Sequence, residues 1–167
     1  LASLLKSDKS GVVEPERRHV FSARERHSSS RYQNWTYPQR AMRTDRYLLI
    51  RNFRPDRWPA GAPQKLNSDG SLGPMHGAYH DIDACPSLSF LVKHWDEPGI
   101  APFFQWSVAK RPAWELFDIH KDPGCLENLI GFSAARDVEL GLKRDLEAFL
   151  TQTRDPRILD GGDIFES

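Results

Sequence analysis

The sequence predicts an α+β fold, in which helices pack on one face of a small antiparallel sheet. Three observations favour this class. The predicted elements follow one another as strand, hairpin, long loop, helix, strand and helix. Two segments with apolar and aromatic residues flank a short polar turn, as in a β-hairpin. Towards the C-terminus, apolar residues recur at spacings of three and four, as on one face of a helix. The 167 residues suit one domain, or one domain with part of another, and are enough to bury a core.

The strands are predicted from short apolar segments bounded by polar turns. Residues 19–23 form the first candidate and lead into a charged cluster and a serine-rich loop. Residues 40–43 and 46–53, on either side of Thr44-Asp45, predict a hairpin. Residues 113–119 alternate like a strand. The sheet should therefore contain a single strand, a hairpin and a later strand.

The remaining elements are a loop and helices. The segment from Arg54 to Pro74 is rich in proline and glycine, so we expect no regular element there. Residues 85–95 predict a helix with Pro86 in its first turn, and residues 100–108 predict a second short helix.

The last predicted helix follows Ser133, a plausible N-cap. Its apolar stripe consists of Ala135, Val138, Leu142, Leu146 and Phe149. The tail from residue 153 to 167 contains Asp155-Pro156 and Gly161-Gly162 and is expected to be irregular.

Composition excludes several classes of function. Lys and Arg together number 23, as do Asp and Glu, so no net basic charge is available to hold nucleic acid. No run of residues is apolar enough to span a membrane.

Cys85 and Cys125 cannot form a four-thiolate zinc site. We interpret them as two free, partly buried thiols, although a disulfide between them stays open. The chain begins with Leu and with a polar segment unlike a signal peptide, so we expect its natural N-terminus upstream.

Three blocks of sequence resemble a known family. The first is residues 19–27, the second is Tyr37-Pro-Gln-Arg40 with residues 46–53, and the third is residues 111–129. The third contains Glu115-Leu-Phe-Asp-Ile119, then Asp122-Pro123, then Glu127-Asn-Leu129. In this order and spacing the blocks resemble the C-terminal portion of sulfatases, and most of all the heparan N-sulfatase (sulfamidase) branch and its bacterial relatives.

The resemblance implies a fold and a division of the chain. Sulfatases have an alkaline-phosphatase-like α/β domain followed by a small antiparallel sheet with a helix, and this chain would supply that C-terminal subdomain. Residues 1–30 would be the end of the catalytic domain, residues 31–153 the subdomain with its terminal helix, and residues 154–167 an irregular tail.

The resemblance also implies chemistry that this chain does not carry. Sulfatases use a cysteine in C-x-P-S-R, oxidised to formylglycine, and a bound Ca²⁺. Here Cys85-Pro-Ser-Leu-Ser89 lacks the arginine and has proline directly after the cysteine, so we reject Cys85 as that nucleophile. The expected Asp-Asp pair is absent as well. We therefore expect no catalytic residue, metal ligand or cofactor in this chain, with Ca²⁺ implied for the longer parent.

The resemblance thus predicts part of an enzyme that hydrolyses sulfate from sulfated sugars, inactive as an isolated chain. The alternative is a non-catalytic carbohydrate-binding or interaction module derived from a sulfatase. The implied partner is a sulfated carbohydrate, with no nucleic acid and no membrane. Exposed strand edges could also associate. By resemblance the compartment is periplasmic, secreted or lysosomal.

The candidate substrate-binding residues are Arg24, Arg26, His27 and Trp58. Cations at the end of a strand could meet an anionic sugar or its sulfate, and the resemblance gives His27 a matching family histidine. The alternative is a solvated turn with internal ion pairs. Because side chains alternate along a strand, Arg24, Arg26 and His27 should not all face the same way.

Three further patterns carry less weight. His76, His80, Asp81 and Asp83 have the residue types of metal ligands, but the glycines around them favour an ordinary polar loop, or a loop that reaches over the parent's cleft. Among the tryptophans, Trp114 is expected in the core and Trp58 is the candidate ligand contact. Residues 34–36 form a glycosylation triplet, which matters only for a eukaryotic secretory protein.

Overall fold

A computed structural model describes residues 2–26, 31, 34–61, 64–75 and 81–166. The strands are β1 (Val20–Arg24), β2 (Gln39–Arg43), β3 (Tyr47–Asn52), β4 (Gln64–Leu66), β5 (Leu72–Met75) and β6 (Trp114–Asp118). The α-helices are α1 (Ala2–Leu5), α2 (Pro86–Lys93), α3 (Ala101–Ser107), α4 (Arg136–Gln152) and α5 (Pro156–Leu159). Short 3₁₀ turns cover Ser133–Ala135 and Asp163–Phe165.

Four of the strands form an antiparallel sheet in the order β1-β2-β3-β6. This arrangement confirms the predicted α+β class, the hairpin and the later strand. Val20 of β1 lies opposite Arg43, and Arg24 lies opposite Gln39. Strand β1 pairs along its whole length with β2 and forms one edge of the sheet. The assignment of residues 1–30 to a separate domain stays a prediction.

The main core lies between this sheet and α4. Met42, Leu49 and Leu116 lie on β2, β3 and β6 and are fully buried. They pack against the predicted stripe of α4, in which Ala135, Leu142 and Leu146 are buried and Val138 and Phe149 are partly buried. Leu150 joins the same cluster. At the edge, the rings of Phe21 and Phe149 stack with centroids 3.6 Å apart. The stripe predicted from spacing is confirmed.

A second, smaller cluster joins α2 and α3. Leu88, Phe104, Val108 and Ala109 are its buried members, and Trp58 packs against them. The predicted helix start is confirmed, since α2 begins at Pro86. The thiol of Cys85 accepts a hydrogen bond from the amide of Leu88 at 3.4 Å, in the position of an N-cap.

The segment from Arg54 to Pro74 corrects one prediction, because it contains the β4–β5 hairpin. Polar residues form the turn of this hairpin, and the prediction overlooked them because it relied on the number of prolines and glycines. The amide of Gly70 donates to the carbonyl of Asn67 at 2.9 Å, and Asp69 accepts from the amide of Ser71 at 2.9 Å. Gly70 has a φ of 82°, which glycine adopts without strain.

The C-terminal region corrects two more predictions. Ser133 is not the N-cap of α4 but starts the 3₁₀ turn that precedes it, and the carboxylate of Glu139 accepts the amide of Gly131 at 3.0 Å. The tail is not wholly irregular, because Asp155 caps α5 by accepting the amide of Arg157 at 2.9 Å. No helix among the described residues has the length and apolar content to cross a bilayer.

Candidate functional site

Two arginines converge on one buried carboxylate where β1 ends. Arg24, the last residue of β1, donates to Asp81 at 2.6 Å. Arg31 also donates to Asp81, and to the carbonyls of Trp58 at 3.2 Å and of Pro59. The side chains of Arg31 and Asp81 are each only 4% exposed. We call Arg24, Arg31 and Asp81 the arginine pair site; it carries two positive charges against one negative charge.

Only one member of this site faces outward. The side chain of Arg24 is 37% exposed, whereas Arg31 is enclosed. Arg31 therefore fixes Asp81, and Asp81 in turn orients Arg24. A partly exposed guanidinium held by a buried carboxylate has little rotamer entropy left to lose on binding an anion.

Asp81 and Tyr37 each have a buried oxygen atom that makes no hydrogen bond within the described residues. One carboxylate oxygen of Asp81 and the hydroxyl of Tyr37 are buried without a hydrogen-bond partner in the described part of the chain. Burial, and next the charge of Glu115, raise the pKa of Tyr37 to about 12, against the lowering influence of Arg111, Arg24 and Arg31. Tyr37 thus stays neutral and keeps its O–H as a donor. Buried polar groups are usually satisfied, so each of these two atoms has hydrogen-bonding capacity left for a partner beyond the described residues.

Trp58 borders the arginine pair site through its backbone. Its carbonyl accepts from Arg31, while its half-buried ring meets Phe104 edge-on at 6.3 Å. The ammonium of Lys110 lies 5.7 Å from the ring centroid. The ring is thus already engaged by the second core cluster and by a cation, and a role of Trp58 in binding a sugar stays a prediction.

The other predicted binding residues do not join Arg24. Arg26 is half-buried and donates to the carbonyl of Phe165 in the C-terminal tail. His27 lies outside the described residues. Arg24 is held by Asp81 and Arg26 by the C-terminal tail, so the two side chains have separate partners. The expectation that Arg24, Arg26 and His27 do not all face the same way stays a prediction.

Sequence interpretation missed Arg31, Asp81 and Tyr37 as members of this region. Arg31 and Asp81 are separated by 50 residues, and an ion pair at that separation leaves no periodic pattern. The residues around Asp81 favour an ordinary polar loop, with a metal ligand or a loop over the cleft as alternatives. Tyr37 belongs to the second block of the family resemblance, which is the one signal that points to it.

A second charged cluster lies beside the arginine pair site and differs from it in charge balance. It contains Arg40, Arg57 and Arg157 against Glu25, Asp155 and Glu166. Arg40 donates to Asp155 at 2.6 Å and to Glu25 at 2.7 Å. Each positive charge here has a negative counterpart. We call these six residues the balanced network and assign it a structural role, since it leaves no charge for a ligand.

Arg157 and Glu166 connect the C-terminal tail to this network. Arg157 donates to Glu25 at 2.6 Å, to Glu166 at 3.0 Å and to the hydroxyl of Thr36 at 3.0 Å. Burial raises the pKa of Glu166, but hydrogen bonds from Thr36, Arg57 and Arg157 outweigh it and lower that pKa to about 2. Glu166 is therefore ionised at neutral pH and ties the tail to the loop that precedes β2.

The polar residues of the third sequence block hold the backbone together. Glu115 accepts from Asn52 at 2.8 Å, and Asp118 accepts from Arg46 at 2.7 Å. Asp122 accepts the amides of residues 126 and 127 at 2.7 and 2.8 Å. Asn128 accepts the amide of Leu116 at 2.9 Å and so satisfies the outer edge of β6. These hydrogen bonds hold the strand, turn and loop of the third block together and connect them to β3, which is a structural role.

The described residues contain no group of three or more His, Cys, Asp or Glu that could hold a metal ion. Asp81 is engaged by two arginines, Asp83 is exposed, and His76 and His80 lie outside the described residues. The donor set present in the described part of the chain therefore does not fit a calcium ion, and we assign no step to one.

The two cysteines are free thiols, as interpreted from the sequence. Cys85 is exposed rather than partly buried, because it caps α2 at its outer end, whereas Cys125 is half-buried. Burial, and next the charge of Asp122, raise the pKa of Cys125.

In the glycosylation triplet of residues 34–36, the amide oxygen of Asn34 and the whole of Thr36 are buried.

Comparison with known proteins gives little. No protein-family model matches the sequence, and no curated protein matches it. Among solved structures, the chain is similar to BT4656 in complex with its substrate D-glucosamine-2-N,6-O-disulfate, with a TM-score of 0.39 and 14% sequence identity. The match covers 83% of this chain and 16% of that one, so the chain spans under a fifth of that protein's length. A likeness at this level supports no conclusion about function.

Proposed function

We propose that this chain is the C-terminal part of a sulfatase that hydrolyses sulfate from sulfated sugars, of the heparan N-sulfatase type. One observation carries the proposal. The three sequence blocks that resemble sulfatases, although far apart in the chain, form the strands of a single sheet: β1, the β2–β3 hairpin, and β6 with its loop. Helix α4 covers one face of this sheet, as expected for the small subdomain.

The role of this chain in the parent enzyme is to support and border the substrate cleft. The nucleophile and the calcium ligands would come from residues before Leu1. The arginine pair site would contribute Arg24, whose partly exposed guanidinium uses Nη2 for Asp81 and Pro59 and would donate from Nε or Nη1 to a sulfate oxygen. His27, which lies outside the described residues, is the next candidate, ahead of Arg26 and Trp58.

The proposed partner is a sulfated carbohydrate, and the proposed compartment is periplasmic, secreted or lysosomal. Strand β1 is an edge of the sheet, and its outer hydrogen-bonding groups are a possible surface for association. No catalytic residue is proposed within this chain.

The first test uses the 167-residue chain with a fluorogenic aryl sulfate. We expect no turnover, because the described residues offer neither a formylglycine motif nor a metal site. Turnover that persists through repeated purification, and that is lost on replacing Arg24, would contradict the proposal. In the full-length parent, Arg24→Gln should raise KM for a sulfated sugar several-fold, while Arg144→Gln, a solvent-exposed control on α4, should leave KM unchanged.

A second candidate is a free-standing, non-catalytic carbohydrate-binding or interaction module. The observation that favours it is the group of exposed aromatic side chains on and after α2 and α3, namely Phe90, Trp95, Phe103 and Trp106. A module should sediment as a monomer and unfold cooperatively. A part of a larger enzyme should bind an apolar dye or self-associate, so sedimentation with dye binding separates the two candidates.

A further inference from the structure

A basic groove lies at the end of β1 opposite Arg24. It has a volume of about 600 Å³ and is bounded by residues 12–20 and by the turn between β2 and β3. Four arginines line it, Arg17 and Arg18 on one side and Arg43 and Arg46 on the other. Val20 and Arg24 are four residues apart on an extended strand, so the groove lies roughly 13 Å from the arginine pair site along the sheet edge.

Two of the four arginines are already neutralised. Arg17 donates to Glu14 at 2.8 Å, and Arg46 donates to Asp118 at 2.7 Å. Each therefore contributes shape and hydrogen-bonding surface rather than net charge.

The other two arginines have no carboxylate partner. Within the described part of the chain, neither Arg18 nor Arg43 forms an ion pair, and both are exposed. The acidic side chain in the lining is Asp45, which is 97% exposed and whose carboxylate lies 3.7 Å from Nε2 of His120. The groove thus combines two uncompensated guanidiniums with one carboxylate that points into solvent.

The other lining residues narrow the ligand class. Val12, Pro15 and Val20 contribute exposed apolar surface, His19 and Thr44 contribute polar groups, and the lining contains no Trp, Tyr or Phe ring. Single-stranded nucleic acid is usually held by aromatic stacking as well as by charge, and a duplex requires many phosphate contacts. An open groove with two unpaired guanidiniums and some exposed apolar surface fits a sugar that carries oxyanion groups.

We propose that this groove binds a sulfated oligosaccharide, with Arg18 and Arg43 each contacting a sulfate group. The choice of a sulfated sugar among anionic ligands rests on the proposed function; the existence of the groove and its unpaired charges does not. The groove would hold a part of the polysaccharide away from the reacting sulfate, and so favour long, multiply sulfated chains over short ones.

The test measures binding of a heparin-derived hexasaccharide to the 167-residue chain by calorimetry. The double variant Arg18→Gln/Arg43→Gln should bind at least about tenfold more weakly, since each lost contact is a charge-assisted hydrogen bond. The slope of the logarithm of affinity against the logarithm of salt concentration should fall by about 1–2. The matched control, Arg136→Gln/Arg144→Gln, removes the same charge from α4 and should bind like the unmodified chain.

Four outcomes would overturn the proposal. They are binding unchanged in the double variant, equal loss in the control, equal affinity for the desulfated hexasaccharide, and equal affinity for an oligonucleotide of the same charge. Inorganic sulfate at the same sulfate concentration should not displace the hexasaccharide; full displacement would assign the groove to free anions instead.

A stability check accompanies this result. Both double variants should unfold at the same urea concentration as the unmodified chain, because the four replaced residues are exposed. If the groove does not bind, the proposed function still stands or falls on the sequence upstream of Leu1.

Discussion

Replacing Arg157 by alanine should destabilise the protein more than any surface substitution of an arginine. Its side chain is 2% exposed and donates to two carboxylates, to the hydroxyl of Thr36 and to the carbonyl of Gly161. Removing one member of a buried ion pair costs about 3–5 kcal/mol, because the remaining charge stays buried.

The structure places Arg157→Ala at the lower end of that range. Glu25 keeps its ion pair with Arg40 at 2.7 Å, and Glu166 keeps its ion pair with Arg57 at 3.0 Å. We therefore expect a loss of about 3 kcal/mol in the free energy of unfolding. In urea denaturation this corresponds to a midpoint lower by about 1–2 M, given the usual dependence of stability on urea.

Gly162 supplies an independent check on the packing of Arg157. A Cβ atom at Gly162 would lie 2.4 Å from Cδ and 2.5 Å from Nε of Arg157, and the φ of Gly162 is 78°. Gly162→Ala should therefore be costly in the unmodified chain through both the clash and the backbone strain. In the Arg157→Ala background only the strain remains, so the two substitutions should be non-additive by about 1 kcal/mol or more.

The assay is urea unfolding followed by circular dichroism, with Arg144→Ala as the control. The guanidinium of Arg144 is 77% exposed and pairs with its neighbour Asp145, so its loss should cost at most about 0.5 kcal/mol. Two results would contradict the described role of Arg157 in holding the C-terminal tail. One is a loss of stability of at most about 0.5 kcal/mol for Arg157→Ala. The other is an equal loss of stability for Gly162→Ala in the unmodified chain and in the Arg157→Ala background.

The pH dependence of the same network follows from Glu166. Its pKa is lowered from 4.5 to about 2 in the folded chain. The corresponding stability is present above pH 4.5 and is lost as the pH falls towards the folded pKa. Other acids such as Asp155 and Asp118 also have lowered pKa values and contribute to the pH dependence of stability. The contribution of Glu166 is therefore measured as the difference in stability between the unmodified chain and the Glu166→Gln variant. The stability difference between the two chains should shrink by about 2 kcal/mol from pH 6 to pH 3; a constant difference would refute the ion pairing of Glu166.

Three further predictions concern the sheet, the core and the thiols. Asn128→Ala should lower the free energy of unfolding by about 2–3 kcal/mol, since the Asn128 side chain makes hydrogen bonds to the backbone of Trp114, Leu116 and Ile130. A urea midpoint equal to that of the unmodified chain would show that the outer edge of β6 does not depend on Asn128. Leu146→Ala should lower the free energy of unfolding by about 3–5 kcal/mol. Leu140 is exposed on the same helix, so Leu140→Ala should lower it by less than about 0.5 kcal/mol. Equal losses of stability would contradict the packing of α4. Cys85 should react with a disulfide reagent at pH 7 well before Cys125, whose pKa is raised, and Cys85→Ser should abolish the fast phase.

Much of the fold could be predicted because its signals are local. The β2–β3 hairpin combines a short polar turn with apolar flanks, and α4 has a regular stripe, so each element is specified by residues within one segment. The β4–β5 hairpin was missed because its prolines and glycines suggested a loop, although Asn67 to Gly70 have the composition of a turn. Helix α5 was missed although Asp155-Pro156 is itself a cap followed by proline at the first helical position.

The candidate site could be predicted only in part. Arg24 was identified from its place at the end of a strand. Its partner Asp81 and the second arginine, Arg31, come from distant segments, and their pairing depends on the tertiary fold. The balanced network was missed for the same reason, since Arg40, Glu25 and Arg157 are brought together from three separate regions. Charge composition alone could not separate these engaged arginines from the unpaired Arg18 and Arg43.

The most direct test of the central claim is to determine the coding sequence upstream of Leu1. If this chain is the C-terminal part of a sulfatase, the preceding in-frame sequence encodes a C-x-P-S-R motif and an early Asp-Asp pair, and His27 and Arg24 become the first residues to replace in the full protein. A start codon immediately before Leu1, with neither motif, would contradict the claim and favour a free-standing binding module.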